Sequence, residues 1–243
     1  MALTLLPYSP KYYDTLPGVV EAGRNAEPSG AIEALTSDIG QVFIKYGMEN
    51  TFGIILLHNH FEISASEMLV QFGNAAVPWD TKLNSADVRN IVPTAWRFVE
   101  AGLAPWEFTY SSPHGHEDIP KLTNSSHGPF LLELKSTLSR LGLEDVLGLV
   151  VLEDGNVNGP PRIEIESGRS TITLDVDVNP REDDGFIHVI WQFGTDGSAS
   201  GPQPVVFKKY KVAYKLRTVP APTRDDPYRS EQVHDNIHQT TRK

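Results

Sequence analysis

Residues 43–59 read FIKYGMENTFGIILLHN, and residues 138–154 read LSRLGLEDVLGLVVLED. The two stretches lie 95 positions apart and agree at Gly47 and Gly142, Glu49 and Glu144, Gly53 and Gly148, and Leu57 and Leu152. The same offset, without a gap, sets Val77-Pro78-Trp79-Asp80 on Ile172-Thr173-Leu174-Asp175, and Trp96-Arg97-Phe98 on Trp191-Gln192-Phe193. Three patches in one register are the mark of an internal repeat. Two copies are too few for a solenoid, so the expectation is a pseudo-twofold pair sharing one core.

Ahead of the shared stretch, Ile32, Leu35, Ile39, Val42, Phe43 and Tyr46 fall on one stripe at helical spacing. This predicts a helix that starts at Ser29 or Gly30 and ends at Gly47 in the left-handed conformation. In the second copy, Ser126 or His127 caps a helix with Pro129 near its first turn. Phe130, Leu131, Leu134, Leu138 and Leu141 line its buried face, and Gly142 closes it. Strands follow each helix, at 52–61, 68–72, 75–80, 91–99 and 106–110, then at 147–153, 162–166, 170–178, 186–193 and 205–216. The run from Phe52 to Leu57 is apolar throughout and needs cover on both faces. Arg162-Ile163-Glu164-Ile165-Glu166 alternates, as a strand with one face in water does.

The expected fold class is therefore α+β, a tandem duplication of one helix plus a four-to-five-stranded antiparallel sheet, with a double hot-dog or cystatin-like layout. Its parts are an irregular arm (1–28), repeat one (29–111), a linker (112–127), repeat two (128–216) and a polar tail (217–243).

Composition excludes several functions. A net charge of −10 argues against nucleic acid or an anionic membrane as the main partner, since both need clustered Lys and Arg. The chain has no cysteine, which removes disulfides, thiolate nucleophiles and Cys-based zinc sites. Its apolar runs, Phe52–Leu57 and Val146–Leu152, are too short to span a bilayer. The first residues, MALTLLPYSPKYY, lack the basic n-region and long apolar h-region expected of a signal peptide, so a cytoplasmic protein is expected. Gly-x-Gly-x-x-Gly, Walker and Gly-x-Ser-x-Gly motifs are missing, which argues against a nucleotide cofactor and an α/β-hydrolase.

The copies part company at the end of their first strand. Copy one has His58-Asn59-His60 where copy two has Glu153-Asp154-Gly155. Side chains two apart on a strand share a face, so His58 and His60 are expected to point the same way as Ile54 and Leu56. Two imidazoles on one face suit a divalent transition metal or acid/base work. The plainer account is two polar residues leaving the core. A second pair, His114-Gly115-His116, lies in the linker, which the topology starts near the same sheet end. His58, His60, His114 and His116 are therefore the candidate metal ligands, against a surface loop for the linker pair. Glu153 can face His58 across the twofold axis, so the candidate catalytic groups are His58, His60 and Glu153. Asp80 and Asp175 recur in both copies and read as structural. Trp96 and Trp191 read as core or pocket walls, and His188 as a core residue. His234 and His238 keep a helical metal spacing but sit in the tail.

Phe52-Gly53-Ile54-Ile55-Leu56-Leu57-His58-Asn59-His60-Phe61 resembles uncharacterised proteins of filamentous fungi, which carry an apolar strand ending in His-x-His-Phe, a Glu-rich turn and another strand. The resemblance implies that the His pair is a feature of that group. Cupins also bring two His and a Glu together, but Gly53, Glu62 and Glu67 do not keep the cupin spacing and both copies here begin with helices. The function expected is an enzyme of isomerase, lyase or hydrolase type. It acts on a small organic molecule in a pocket between the halves, and a homodimer is compatible with this. The alternative is a non-catalytic ligand- or partner-binding protein.

Overall fold

The strands that carry the two matching stretches lie side by side. In the computed structural model, which describes residues 3–83, 88–111, 121–152, 162–177, 185–194 and 205–208, β1 (Phe52–Leu56) pairs antiparallel with β6 (Leu147–Val151). The other strands are β2 (Glu67–Phe72), β3 (Ala75–Asp80), β4 (Ile91–Val99), β5 (Gly102–Tyr110), β7 (Arg162–Glu166), β8 (Thr171–Asp175), β9 (Phe186–His188), β10 (Ile190–Trp191) and β11 (Val205–Lys208). Among the described residues they form one eleven-stranded sheet in the order β10-β1-β6-β4-β5-β2-β3-β8-β7-β11-β9. The end strands β9 and β10 are separated in the chain by Val189 alone, so the sheet curls until its ends meet.

Pairing follows the sequence offset. Ile54 faces Leu149 and Ala76 faces Thr171, each pair 95 positions apart. Val70 faces Val77 in the β2–β3 hairpin, and Ile165 faces Ile172 in the β7–β8 hairpin. The expectation of wholly antiparallel units is corrected at two places, because β2 pairs parallel with β5 and β7 pairs parallel with β11. Two-residue alternation is the same in both kinds of ladder, so a strand's sequence does not reveal its neighbour's direction. β1 hydrogen-bonds to β10 and β6, both from the later stretch of the chain.

The region 1–28, read from sequence as irregular, contains helices α1 (Lys11–Asp14) and α2 (Val19–Ala26). Next come α3 (Ala31–Ala34), a π-helical turn (Leu35–Ile39) and α4 (Gly40–Tyr46). The wider π turn rotates the apolar stripe, so Ala31, Ala34 and Leu35 are buried while Ile32 is exposed. Gly47 (φ 64°) ends α4 and Gly142 (φ 69°) ends α5 (Asn124–Leu141), both left-handed as their positions predict. The start of α5 corrects the sequence reading. Its cap is Thr123, whose hydroxyl accepts from the Ser126 amide at 3.4 Å, while His127 Nδ1 accepts from the Thr123 amide at 3.1 Å. Thr123→Ala should therefore lower stability by about 1 kcal/mol, read by denaturant titration, and an unchanged midpoint would remove the cap.

β1 divides two cores. Phe52, Ile54 and Leu56 pack with the helices, against Phe43, Phe130, Leu134, Trp96 and Trp191. Ile55 and Leu57 pack on the other side with Tyr13, Leu16, Leu69 and Trp106. Each such large apolar side chain contributes about 1.5–3 kcal/mol when fully buried. Asp80 accepts from the amides of Lys82 (2.8 Å) and Leu83 (3.2 Å) and so closes a turn. Met1–Lys209 forms one compact unit that takes in both repeated stretches. No described helix is long and apolar enough to cross a membrane.

Candidate metal centre

Strand β1 stops at Leu56, two residues before the first imidazole. The two-residue alternation stops with it, which overturns the expected sharing of a face with Ile54 and Leu56. His58 turns instead to the second core, its ring 5.9 Å from that of Trp106. Three contacts hold the new path. The Asn59 amide donates to the Pro17 carbonyl (2.8 Å), the Asn59 side-chain amide donates to the Leu16 carbonyl (2.7 Å), and the His60 amide donates to the Tyr13 hydroxyl (3.1 Å).

His58 and His60 meet edge to face, with ring centroids 4.7 Å apart. His58 is 1% exposed, and its Nδ1 lies 2.7 Å from the Leu56 carbonyl oxygen. A carbonyl only accepts, so Nδ1 carries the proton and Nε2 holds a lone pair. Among the described residues that buried Nε2 meets no hydrogen-bond partner. His60 Nε2 lies 3.6 Å from Glu164 Oε1, and His60 Nδ1 lies 3.4 Å from Glu166 Oε1. Both carboxylates come from β7, on the face that the sequence reading assigns to water. A clamp brings β7 there, with Arg169 in the β7–β8 turn donating to the Glu67 carboxylate (2.5 Å) and the Glu62 carbonyl (3.0 Å).

The charges are uneven. Burial, and then the charge of His60, pull His58 down to about 3, so it stays neutral. Burial also pulls on His60, but Glu164, Glu166 and Glu107 together outweigh it and raise that imidazole to about 9. Desolvation pushes the Glu107 carboxyl on β5 up to about 8, so it keeps its proton at neutral pH.

One donor atom from each of His58, His60 and Glu164 lies within 4.8 Å of the others, so this group can hold a metal ion. Three donors at about 2.0–2.1 Å around a tetrahedral ion stand about 3.4 Å apart, so the cluster would have to close by up to about 1.4 Å to hold one. Both imidazoles then offer Nε2, with Nδ1 held by the Leu56 carbonyl in one and by Glu166 in the other. Such outer contacts orient ligating histidines.

The sequence-predicted set is thus divided. His58 and His60 come together, while His114, His116, Glu153, His234 and His238 lie outside the described residues. His188 sits on β9 opposite Val206, and His127 serves the cap of α5. Sequence reasoning misses Glu164, Glu166, Glu107 and Tyr13. The one available signal is Glu107 in Ala104-Pro105-Trp106-Glu107-Phe108, a carboxylate inside an apolar strand. The 95-residue counterparts of Glu164 and Glu166 are Leu69, which is buried in the apolar second core, and Gln71. In comparisons with protein families, curated proteins and solved structures, nothing matches this chain.

Proposed function

We propose that the chain is a metal-dependent enzyme acting on a small organic molecule, with His58, His60 and Glu164 holding one divalent transition metal ion. The observation that carries this reading is the buried Nε2 of His58, which has a lone pair and no described partner and sits beside a second imidazole and a carboxylate. A polar atom left unsatisfied in a core costs about 1–3 kcal/mol, and a bound ion removes that cost. Two imidazoles and one carboxylate are the donor set of hydrolytic zinc sites and mononuclear iron sites. The ion would supply Lewis acidity and activate water near neutral pH, so hydrolysis is favoured over isomerisation or elimination. Glu166 orients His60, and desolvation raises the Glu107 carboxyl beside the cluster toward the range in which a general acid works.

The site draws on both expected repeats, His58 and His60 from 29–111 and Glu164 from 128–216, and we read it as the asymmetric product of a tandem duplication. The equal registers about Ile54–Leu149 and Ala76–Thr171 support that reading. One copy kept Leu69 where the other has Glu164. Elemental analysis of the purified protein tests the proposal. We expect about one equivalent of transition metal in the wild type and less than a tenth of that in Glu164→Gln. Metal absent from both would leave the cluster as an internal ion pair between His60 and β7, consistent with the binding-protein alternative, and a full equivalent in Glu164→Gln would remove Glu164 from the ligand set.

A further inference from the structure

Next to the cluster a cleft of about 340 Å³ opens between two walls. His60 and Glu166 belong to one, and Val19, Val20 and Arg24 of α2 to the other. We propose that this cleft receives a small organic monocarboxylate, with its carboxylate on Arg24, its body along Val19 and Val20, and its far end at His60. The assignment rests on the metal-centre reading for what happens at the far end, but not for binding itself.

The volume lies at the lower end of the range for small-molecule pockets, which suits a ligand of a few heavy atoms. Arg24 is exposed, and among the described residues it has no ion-pair partner. A guanidinium presents a planar fork of donors that matches a carboxylate, and such charge-assisted bonds are the strong ones. The valines between Arg24 and His60 offer only apolar surface, so the middle of the ligand is apolar as well. Two acidic groups also line the cleft. Glu166 is engaged with His60 Nδ1, and Glu21 stands on the first turn of α2. Among the described residues Arg24 is the one exposed cation of the lining, so a first carboxylate finds a partner there while a second would meet only Glu21 and Glu166.

Butyrate, butyramide and n-butylammonium serve as probes, with binding read by ligand-detected NMR. Each is titrated into the wild type and Arg24→Gln, both metal-free and zinc-loaded. Butyrate should bind the wild type about tenfold or more tighter than butyramide, and Arg24→Gln should lose that preference. Arg24 is on the surface, so circular dichroism of the variant should be unchanged. Equal affinity for butyramide, a preference for n-butylammonium, or butyrate binding that ignores Arg24 would overturn the proposal. Zinc uptake is scored separately. A wild type that takes no zinc but binds butyrate through Arg24 keeps the cleft and loses the metal centre. One that takes zinc but binds no butyrate does the reverse.

Discussion

Lowering the pH from 8 to 6 should weaken zinc binding about 100-fold, which is tenfold per unit. The reason lies in the unequal histidines. His58 is already neutral, because burial and the neighbouring His60 hold it at about 3, so it costs no proton to ligate. His60 is raised to about 9 against the pull of burial, chiefly by Glu164, and must release a proton before Nε2 can bind an ion. One proton is exchanged for each ion below about pH 9, so affinity rises with pH and levels off above that point. Glu107, held at about 8 mainly by desolvation, steepens the slope wherever the incoming charge also expels its proton. Glu164→Gln acts twice. It removes a ligand, which should cost about 100-fold or more at pH 8, and it removes a charge that holds the His60 proton, which moves the pH dependence to lower pH. A competition titration with a chromophoric chelator measures both effects. A flat profile, or a Glu164→Gln variant with wild-type affinity, would contradict the ligand set.

Gly53→Ala and Gly148→Ala should each cost about 3 kcal/mol, at the upper end of ordinary overpacking. A methyl on Gly53 would sit 2.5 Å from the Trp191 carbonyl oxygen and 2.9 Å from Leu152 Cδ2. On Gly148 it would sit 2.5 Å from the Trp96 carbonyl oxygen and 2.8 Å from Leu57 Cδ2. The leucine tips can rotate away, but a backbone oxygen in a paired strand cannot. β1 would have to leave β10, or β6 leave β4. For a unit of this size the loss corresponds to a fall in Tm of about 6–12 °C. Gly128→Ala is the control. It lies within α5 with nothing inside 4 Å of the added methyl, so it should stabilise by up to about 1 kcal/mol. Calorimetry on the three variants decides the matter. If Gly53→Ala and Gly148→Ala were tolerated, or differed widely from each other, the matched close approaches on the two strands would be wrong.

Those matched contacts show what local sequence could reveal. Gly53 and Gly148, Leu57 and Leu152, and Trp96 and Trp191 stand out as recurring residues, and the structure places them in equivalent contacts. Helix ends were legible at Gly47 and Gly142, because a left-handed cap is a property of a single residue. The start of α5 was harder, since Thr123, Ser125, Ser126 and His127 all offer capping chemistry within one turn. The stripe before α4 misled at Ile32 because the π turn breaks the period on which the stripe depends.

The chain by itself determined the α+β class, most strand positions and the glycine-closed helices, and it singled out His58 and His60 as neighbours. These depend on period, on turn residues and on which side chains suit a core. Tertiary structure alone decided that the pair turns away from the helix side, that β7 lies beside it, and that Glu164, Glu166 and Glu107 converge there. The physical reason is distance along the chain. Glu164 reaches His60 only because hairpins, parallel pairings and the curl of the sheet bring together strands that are remote in sequence. A carboxylate on an alternating strand looks the same from its neighbours whether it faces water or an imidazole.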